Sequence, residues 1–199
     1  MEHRFEREKG PGTLLLLHST GGDENQLIPV GRMLDPDANL LSPRGQVEEA
    51  GARRFFRRLG EGVFDLDDLR EKTLELAGFL EATEFEYDLD PARLFAVGYS
   101  NGANIGFSLL LARPNLLAGA VLLRPMLPYA AQSTAGLNGK QVLVLSGQAD
   151  PSIPPGQVDE LEKALRQRGA TVEVSWQPAG HALGAADYAA AREWLQARP

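Results

Sequence analysis

Residues 94–113 read LFAVGYSNGANIGFSLLLAR, and the stretch changes character in its middle. It opens on a short Leu- and Val-containing run suited to a buried strand over residues 93–97. It closes on an apolar run that predicts a helix over 101–112, ended by Arg113-Pro114, where proline forbids continuation. Ser100 stands at the corner, with Gly98 two residues before it and Gly102 two after. A strand that turns at once into a helix drives its corner residue toward strained backbone angles. Side chains two positions away would then collide with the corner or with the neighbouring strand. Glycine at both places removes those side chains. The serine hydroxyl is left projecting at the end of a sheet, beside the free N–H groups of a helix N-terminus. A serine that merely caps a helix needs no such glycine pair, so Gly-x-Ser-x-Gly in this setting points to a nucleophile.

The alternation continues outward in both directions. Short Val- or Leu-rich runs bounded by Gly, Pro, Asn or Ser predict strands over 13–17, 39–42, 118–123, 141–146 and 171–176, with an edge strand over 3–7. Longer amphipathic runs predict helices over 24–33, 66–84, 155–167 and 182–196. Strand and helix in alternation imply an α/β fold with a mostly parallel central sheet and helices on both faces. At 199 residues, 43% of them hydrophobic, the chain suits a single α/β domain over 1–199. Ligands on such sheets bind at the carboxyl ends of the strands, so chemistry is expected in the loops that follow them.

Composition removes several classes of function. A formal net charge of −7 argues against general nucleic-acid binding and against docking on anionic membranes. With no cysteine there is no disulfide, thiolate metal site or cysteine nucleophile. The first ten residues, MEHRFEREKG, lack the apolar core of a secretory signal, and the longest apolar runs are too short to span a bilayer. A cytoplasmic location is the expectation, with a small molecule as partner and no cofactor or metal.

A serine hydroxyl needs a base, and the chain has 3 histidines. His3 falls in the charged N-terminus and reads as solvated. His18 and His181 both follow strands, but on this kind of sheet the order is serine, acid, histidine. That selects His181 as the base and leaves His18 to shape its loop. The acid should lie between them just past a strand, and Asp150, in SGQADPSIPP, does so; Asp159 and Asp187 fall inside predicted helices. Its task is to accept a hydrogen bond from the imidazole and fix the tautomer. Acyl transfer also requires N–H donors for the developing oxyanion. The amide of Asn101 is one, and that of Thr20, in the glycine-rich loop HSTGGDENQ, is the other. This loop has neither the Gly-x-Gly-x-x-Gly pattern nor the Walker lysine of a phosphate cradle.

Taken together, LLLLHSTGGDENQLIPVGRML, NLLSPRGQ, RRFFRRL, FAVGYSNGANI, RPMLPY, SGQADPSIP and AGHAL resemble, in the same order, the small serine carboxylesterases of the α/β-hydrolase fold. These are the phospholipase/carboxylesterase group related to acyl-protein thioesterases, and the likeness is nearest to a compact bacterial branch associated with hydroquinone and ring-cleavage gene neighbourhoods. It covers nearly the whole chain. The resemblance implies an α/β-hydrolase fold without a large lid domain, a triad of Ser100, Asp150 and His181, oxyanion donors at Thr20 and Asn101, and a possible homodimer. One departure is Ser19, where the group usually has glycine.

Around the site, residues 44–65 form a connection of about twenty residues, longer than an ordinary loop. Within it, RRFFRRL reads as a short amphipathic helix with Phe55 and Phe56 packed on the sheet and its arginines wet. The other reading is an electropositive rim attracting an anionic ester. Phe64, Met126, Leu127 and Trp176 are candidate pocket walls, with Trp176 reading as core rather than pocket, and Arg124 is a polar contact. The expected function is hydrolysis of small or soluble carboxylic esters through an acyl-enzyme. The alternatives are thioesterase or lysophospholipase action with the same triad, and a hydrolase-fold protein that binds a ligand without catalysis.

Overall fold

The computed structural model describes residues 1–60, 62–128, 136–154 and 156–198. In chain order the strands are β1 (His3–Glu6), β2 (Thr13–Leu17), β3 (Asn39–Pro43), β4 (Val47–Glu49), β5 (Ala52–Arg54), β6 (Arg58–Gly60), β7 (Val63–Phe64), β8 (Leu94–Tyr99), β9 (Gly119–Leu123), β10 (Gln141–Gly147) and β11 (Thr171–Gln177). The α-helices are α1 (Ile28–Leu34), α2 (Leu66–Tyr87), α3 (Asn101–Ala112), α4 (Gln157–Arg166) and α5 (Ala185–Gln196). Among the described residues the main sheet has 7 strands in the order β1-β3-β2-β8-β9-β10-β11. All neighbours are parallel except β1, which pairs antiparallel with β3 at one edge.

Both faces of the sheet are covered, which is why its central strands read as unbroken apolar runs. Successive side chains go to opposite cores. On β2, Leu15 and Leu17 join the α2, α3 and α4 layer, while Leu14 and Leu16 join the α1 and α5 layer. On β8, Leu94 and Ala96 face the first layer and Phe95 and Val97 the second. No helix among the described residues is long and apolar enough to cross a membrane.

Three expectations shift. α1 begins at Ile28 rather than at residue 24, with Pro29 in its first turn, where the missing N–H costs nothing; in the turn before it Glu24 pairs with Arg44 and Gln26 bonds to Ser19. α5 begins at Ala185, where the Asp187 carboxylate accepts the Gly184 amide at 2.9 Å. α4 begins at Gln157; the predicted start at Pro155 lies outside the described residues.

RRFFRRL is not a helix. Its first arginines end β5, the two phenylalanines form a bend, and Arg58 opens β6. Phe55 and Phe56 are buried as expected, but Arg54 is buried with them at 4% exposure rather than wet. His3 is half-buried too, with its Nε2 2.8 Å from the Tyr87 hydroxyl.

Candidate active site

The corner after β8 has the geometry its glycines foreshadow. Ser100 adopts φ 53°, ψ −112°, a positive-φ conformation that costs an ordinary residue of order 1–3 kcal/mol. A Cβ on Gly98 would stand 2.4 Å from the Gly102 carbonyl oxygen, and one on Gly102 would stand 2.0 Å from that of Leu17. The first clash is with the helix's own start and the second with the adjacent strand end, so the strained corner can form only with both side chains missing.

Three loops converge on this corner. His181 follows β11, and its Nε2 is 3.0 Å from Ser100 Oγ. Its Nδ1 is 2.8 Å from Asp150 Oδ2, and the other carboxylate oxygen, Oδ1, accepts the Ser152 amide at 2.9 Å. A carboxylate can only accept, so Nδ1 carries the proton and Nε2 presents its lone pair to the serine hydroxyl. The Asp150 side chain is fully buried, whereas that of His181 is 33% exposed.

The loop after β2 lies opposite. His18 is fully buried. Its Nε2 accepts the Gly45 amide at 2.9 Å, so its Nδ1 donates to the Ser19 carbonyl at 2.8 Å. Burial pushes this imidazole below its ordinary value and keeps it neutral. Ser19 is accommodated away from the cavity: Gln26 accepts its amide at 2.9 Å and donates to its hydroxyl at 3.0 Å.

The stretch Arg53-Arg54-Phe55 ties this loop to the start of α3. The Arg53 carbonyl accepts the Gly21 amide at 2.8 Å, Arg54 Nη1 donates to Thr20 Oγ1 at 2.7 Å, and the Phe55 amide donates to Asn101 Oδ1 at 2.7 Å. Among the described residues the Thr20 amide finds no acceptor, and Asn101, as the first residue of α3, has none within its helix.

A cavity of about 450 Å³ opens over Ser100 and His181, with Thr20, Asn101, Phe64 and Met126 in its walls. Arg54 and Arg58 line it as well; Arg58 stays exposed, as the sequence predicts, while Arg54 does not. Burial pulls the Arg54 guanidinium below its ordinary value; Arg58 adds to this and Glu49 opposes it. Glu49 is shared: its Oε1 lies 2.6 Å from Arg58 Nε, its Oε2 3.6 Å from Arg54 Nε. Two cations with one carboxylate between them leave the cavity wall electropositive.

Leu127 and Trp176 fall elsewhere. Leu127 packs against the α2, α3 and α4 core. Trp176 is 47% exposed and faces a separate depression behind Asp150. Arg124 does not reach the cavity; it is buried beneath the His181 loop. The sequence places it in the pocket as a polar contact because it follows β9 directly; instead its guanidinium turns away to Asp187 and the Gly180 carbonyl. No group of three or more His, Cys, Asp or Glu side chains poised to hold a metal occurs among the described residues.

Comparison with known proteins agrees with this architecture. A Bacillus cereus carboxylesterase structure superposes with a TM-score of 0.95 at 43% identity, covering 99% of this chain and 94% of that one. YahD, solved with malic acid, superposes at 0.94 with 31% identity, covering 100% and 99%. The Bacillus subtilis (strain 168) protein described as "Putative hydrolase MhqD" is 43% identical over 196 residues, 98% of either chain. The model of the "Dienelactone hydrolase family" matches residues 59–196, a span running from the β6 strand through the serine corner and the acid and histidine loops. The chain therefore belongs to the dienelactone hydrolase family and is a hydrolase of that carboxylesterase type, built on the α/β-hydrolase fold.

Proposed function

We propose that the protein is a serine carboxylesterase acting through an acyl-enzyme, with Ser100, His181 and Asp150 as its triad. The observation that carries this reading is the hydrogen-bonded row from Ser100 Oγ through His181 to Asp150, at 3.0 and 2.8 Å. Ser100 Oγ attacks the ester carbonyl while His181 Nε2 takes its proton. The carbonyl oxygen becomes an oxyanion that accepts the amides of Asn101 and Thr20. His181 then returns the proton to the departing alcohol as the C–O bond breaks. Water repeats the sequence on the acyl-enzyme and releases the acid.

The electropositive wall favours an ester that also carries an anionic group, and the malic acid held by the related YahD fits that preference. The substrate is then a small, soluble, negatively charged ester rather than lipid.

The decisive experiment is labelling with a fluorophosphonate together with assay of a short-chain aryl ester. Expected are a single adduct on Ser100 and a burst of alcohol, both abolished in a folded Ser100→Ala variant. Turnover retained by that variant would overturn the mechanism, and a wild-type protein that neither labels nor turns over would leave a binding protein.

A further inference from the structure

The imidazole must be held as accurately as the serine, yet His181 lies on a loop between β11 and α5 and is one-third exposed. What holds the loop is Arg124, the residue just after β9, whose side chain has no exposed surface. A guanidinium has five N–H donors, and here each has an acceptor. Nε donates to the Gly180 carbonyl at 2.9 Å and Nη2 to the Ala182 carbonyl at 3.3 Å, the residues on either side of His181. Nη1 donates to the Leu145 carbonyl at 3.2 Å. The remaining two donors form a bidentate pair with Asp187, at 2.7 and 2.9 Å. The carbonyl of His181 itself accepts the Tyr99 hydroxyl at 3.1 Å. Three consecutive carbonyls of the loop are thus held from below.

The backbone of this arginine is also unusual. Its φ is 54°, a strained value for a side chain of this size. Its amide donates to Leu145, and the preceding carbonyl, that of Leu123, accepts the Ser100 amide at 2.9 Å. One strand end therefore contacts the nucleophile through its backbone and the histidine loop through its side chain.

We propose that Arg124 is a positioning residue, which sets the His181 imidazole between Ser100 and Asp150 by fixing the carbonyls on either side of it. This rests on the esterase reading above. A buried ion pair alone would not require the arrangement, because a matched apolar pair usually stabilises a core as well. The two donors spent on Gly180 and Ala182 are what an ion pair leaves unexplained.

Two variants test it. Arg124→Lys keeps the charge against Asp187 but cannot span both loop carbonyls, since an ammonium lacks the planar fork. Arg124→Met combined with Asp187→Leu removes the pair without stranding a charge. Each is assayed with a short-chain aryl ester and a fluorophosphonate, and the low-field imidazole N–H proton resonance is recorded alongside thermal melting. In both folded variants kcat should fall about 100-fold, the scale of a 1 Å misplacement. KM should stay within about threefold, labelling of Ser100 should slow in parallel with kcat, and the low-field signal should broaden or vanish. A core ion pair with no positioning role would leave kcat, labelling and the low-field signal unchanged, whichever way the melting temperature moves. Folded variants within about threefold of wild type in kcat and labelling, or variants that do not fold at assay temperature, would overturn the proposal. Failure of the esterase reading is distinguishable: the wild type itself would then not label, while its imidazole resonance would still respond to the variants.

Discussion

Gly102 and Leu17 sit so close that a Cβ on the glycine would stand 2.0 Å from the leucine's carbonyl oxygen. The contact joins the start of the helix after Ser100 to the end of the strand that carries the Thr20 loop. Backbone cannot yield as a flexible side chain can, so Gly102→Ala should destabilise the fold by about 3 kcal/mol and reduce activity. Gly78 is the matched control: it lies within α2, where a Cβ meets nothing within 4 Å. Gly78→Ala should stabilise by roughly 0.5–1 kcal/mol through helix propensity. Urea unfolding of the pair checks both signs; equal effects would refute the steric account.

Asp150→Asn should preserve the fold, because the asparagine oxygen can still accept the Ser152 amide that Oδ1 accepts now. Its amide nitrogen would then face His181 Nδ1 as a donor and favour the tautomer with Nε2 protonated. Turnover should fall roughly ten-thousandfold. The variant's kcat at constant folded fraction is the measurement, and a loss under tenfold would remove the aspartate from the mechanism.

Arg54 is the more enclosed of the two cavity cations, with its side chain 5% exposed against 38% for that of Arg58. Screening by solvent should therefore make Arg58 count for less. Arg54→Met should raise KM about tenfold or more for a monoester of a dicarboxylic acid, and change KM for its neutral methyl counterpart by under about threefold. Arg58→Met should shift the ratio in the same direction by less. An unchanged ratio in both variants would remove anion preference from the proposed substrate.

Glu24 pairs with Arg44, whose hydrogen bonds hold the glutamate carboxyl at about 2 against an ordinary 4.5. A depressed carboxyl adds stability that is fully present above the ordinary value and is lost as pH falls through the folded one. Glu24→Gln should therefore be less stable than wild type by about 1–2 kcal/mol above pH 5, after allowance for solvent screening. The two proteins should converge near pH 2. Denaturation midpoints across that range test the window; a constant difference at low pH would exclude the pair as its source.

The strand and helix alternation was legible outside residues 44–65 because periodicity is local; the strands β4 to β7 within that connection are too short to show a period. Leu14 to Leu17 reads as a strand buried on both faces, and β2 is one. Ser100, Asp150 and His181 were legible because each lies in the loop that follows a strand, and parallel strands deliver their ends to one side of the sheet. RRFFRRL misled because alternating charge and aromatic residues fit a helix face locally. The Arg53 carbonyl instead accepts the Gly21 amide and the Phe55 amide donates to the Asn101 side chain, groups supplied from distant parts of the chain.

The order of residues by itself determined the α/β alternation, the serine corner with its two glycines, and which strand ends could bear the acid and the base. Those depend on short-range sterics and hydrophobic period, which a few neighbouring residues specify. Only the tertiary structure decided that Arg54 would be buried in the cavity wall, that Trp176 would face away from the serine, and that Arg124 would underlie the histidine loop. The fate of a charged side chain depends on which acceptors and which solvent surround it after folding. Asp187 and the carbonyls of Gly180 and Ala182 reach Arg124 only once the sheet and α5 have been assembled.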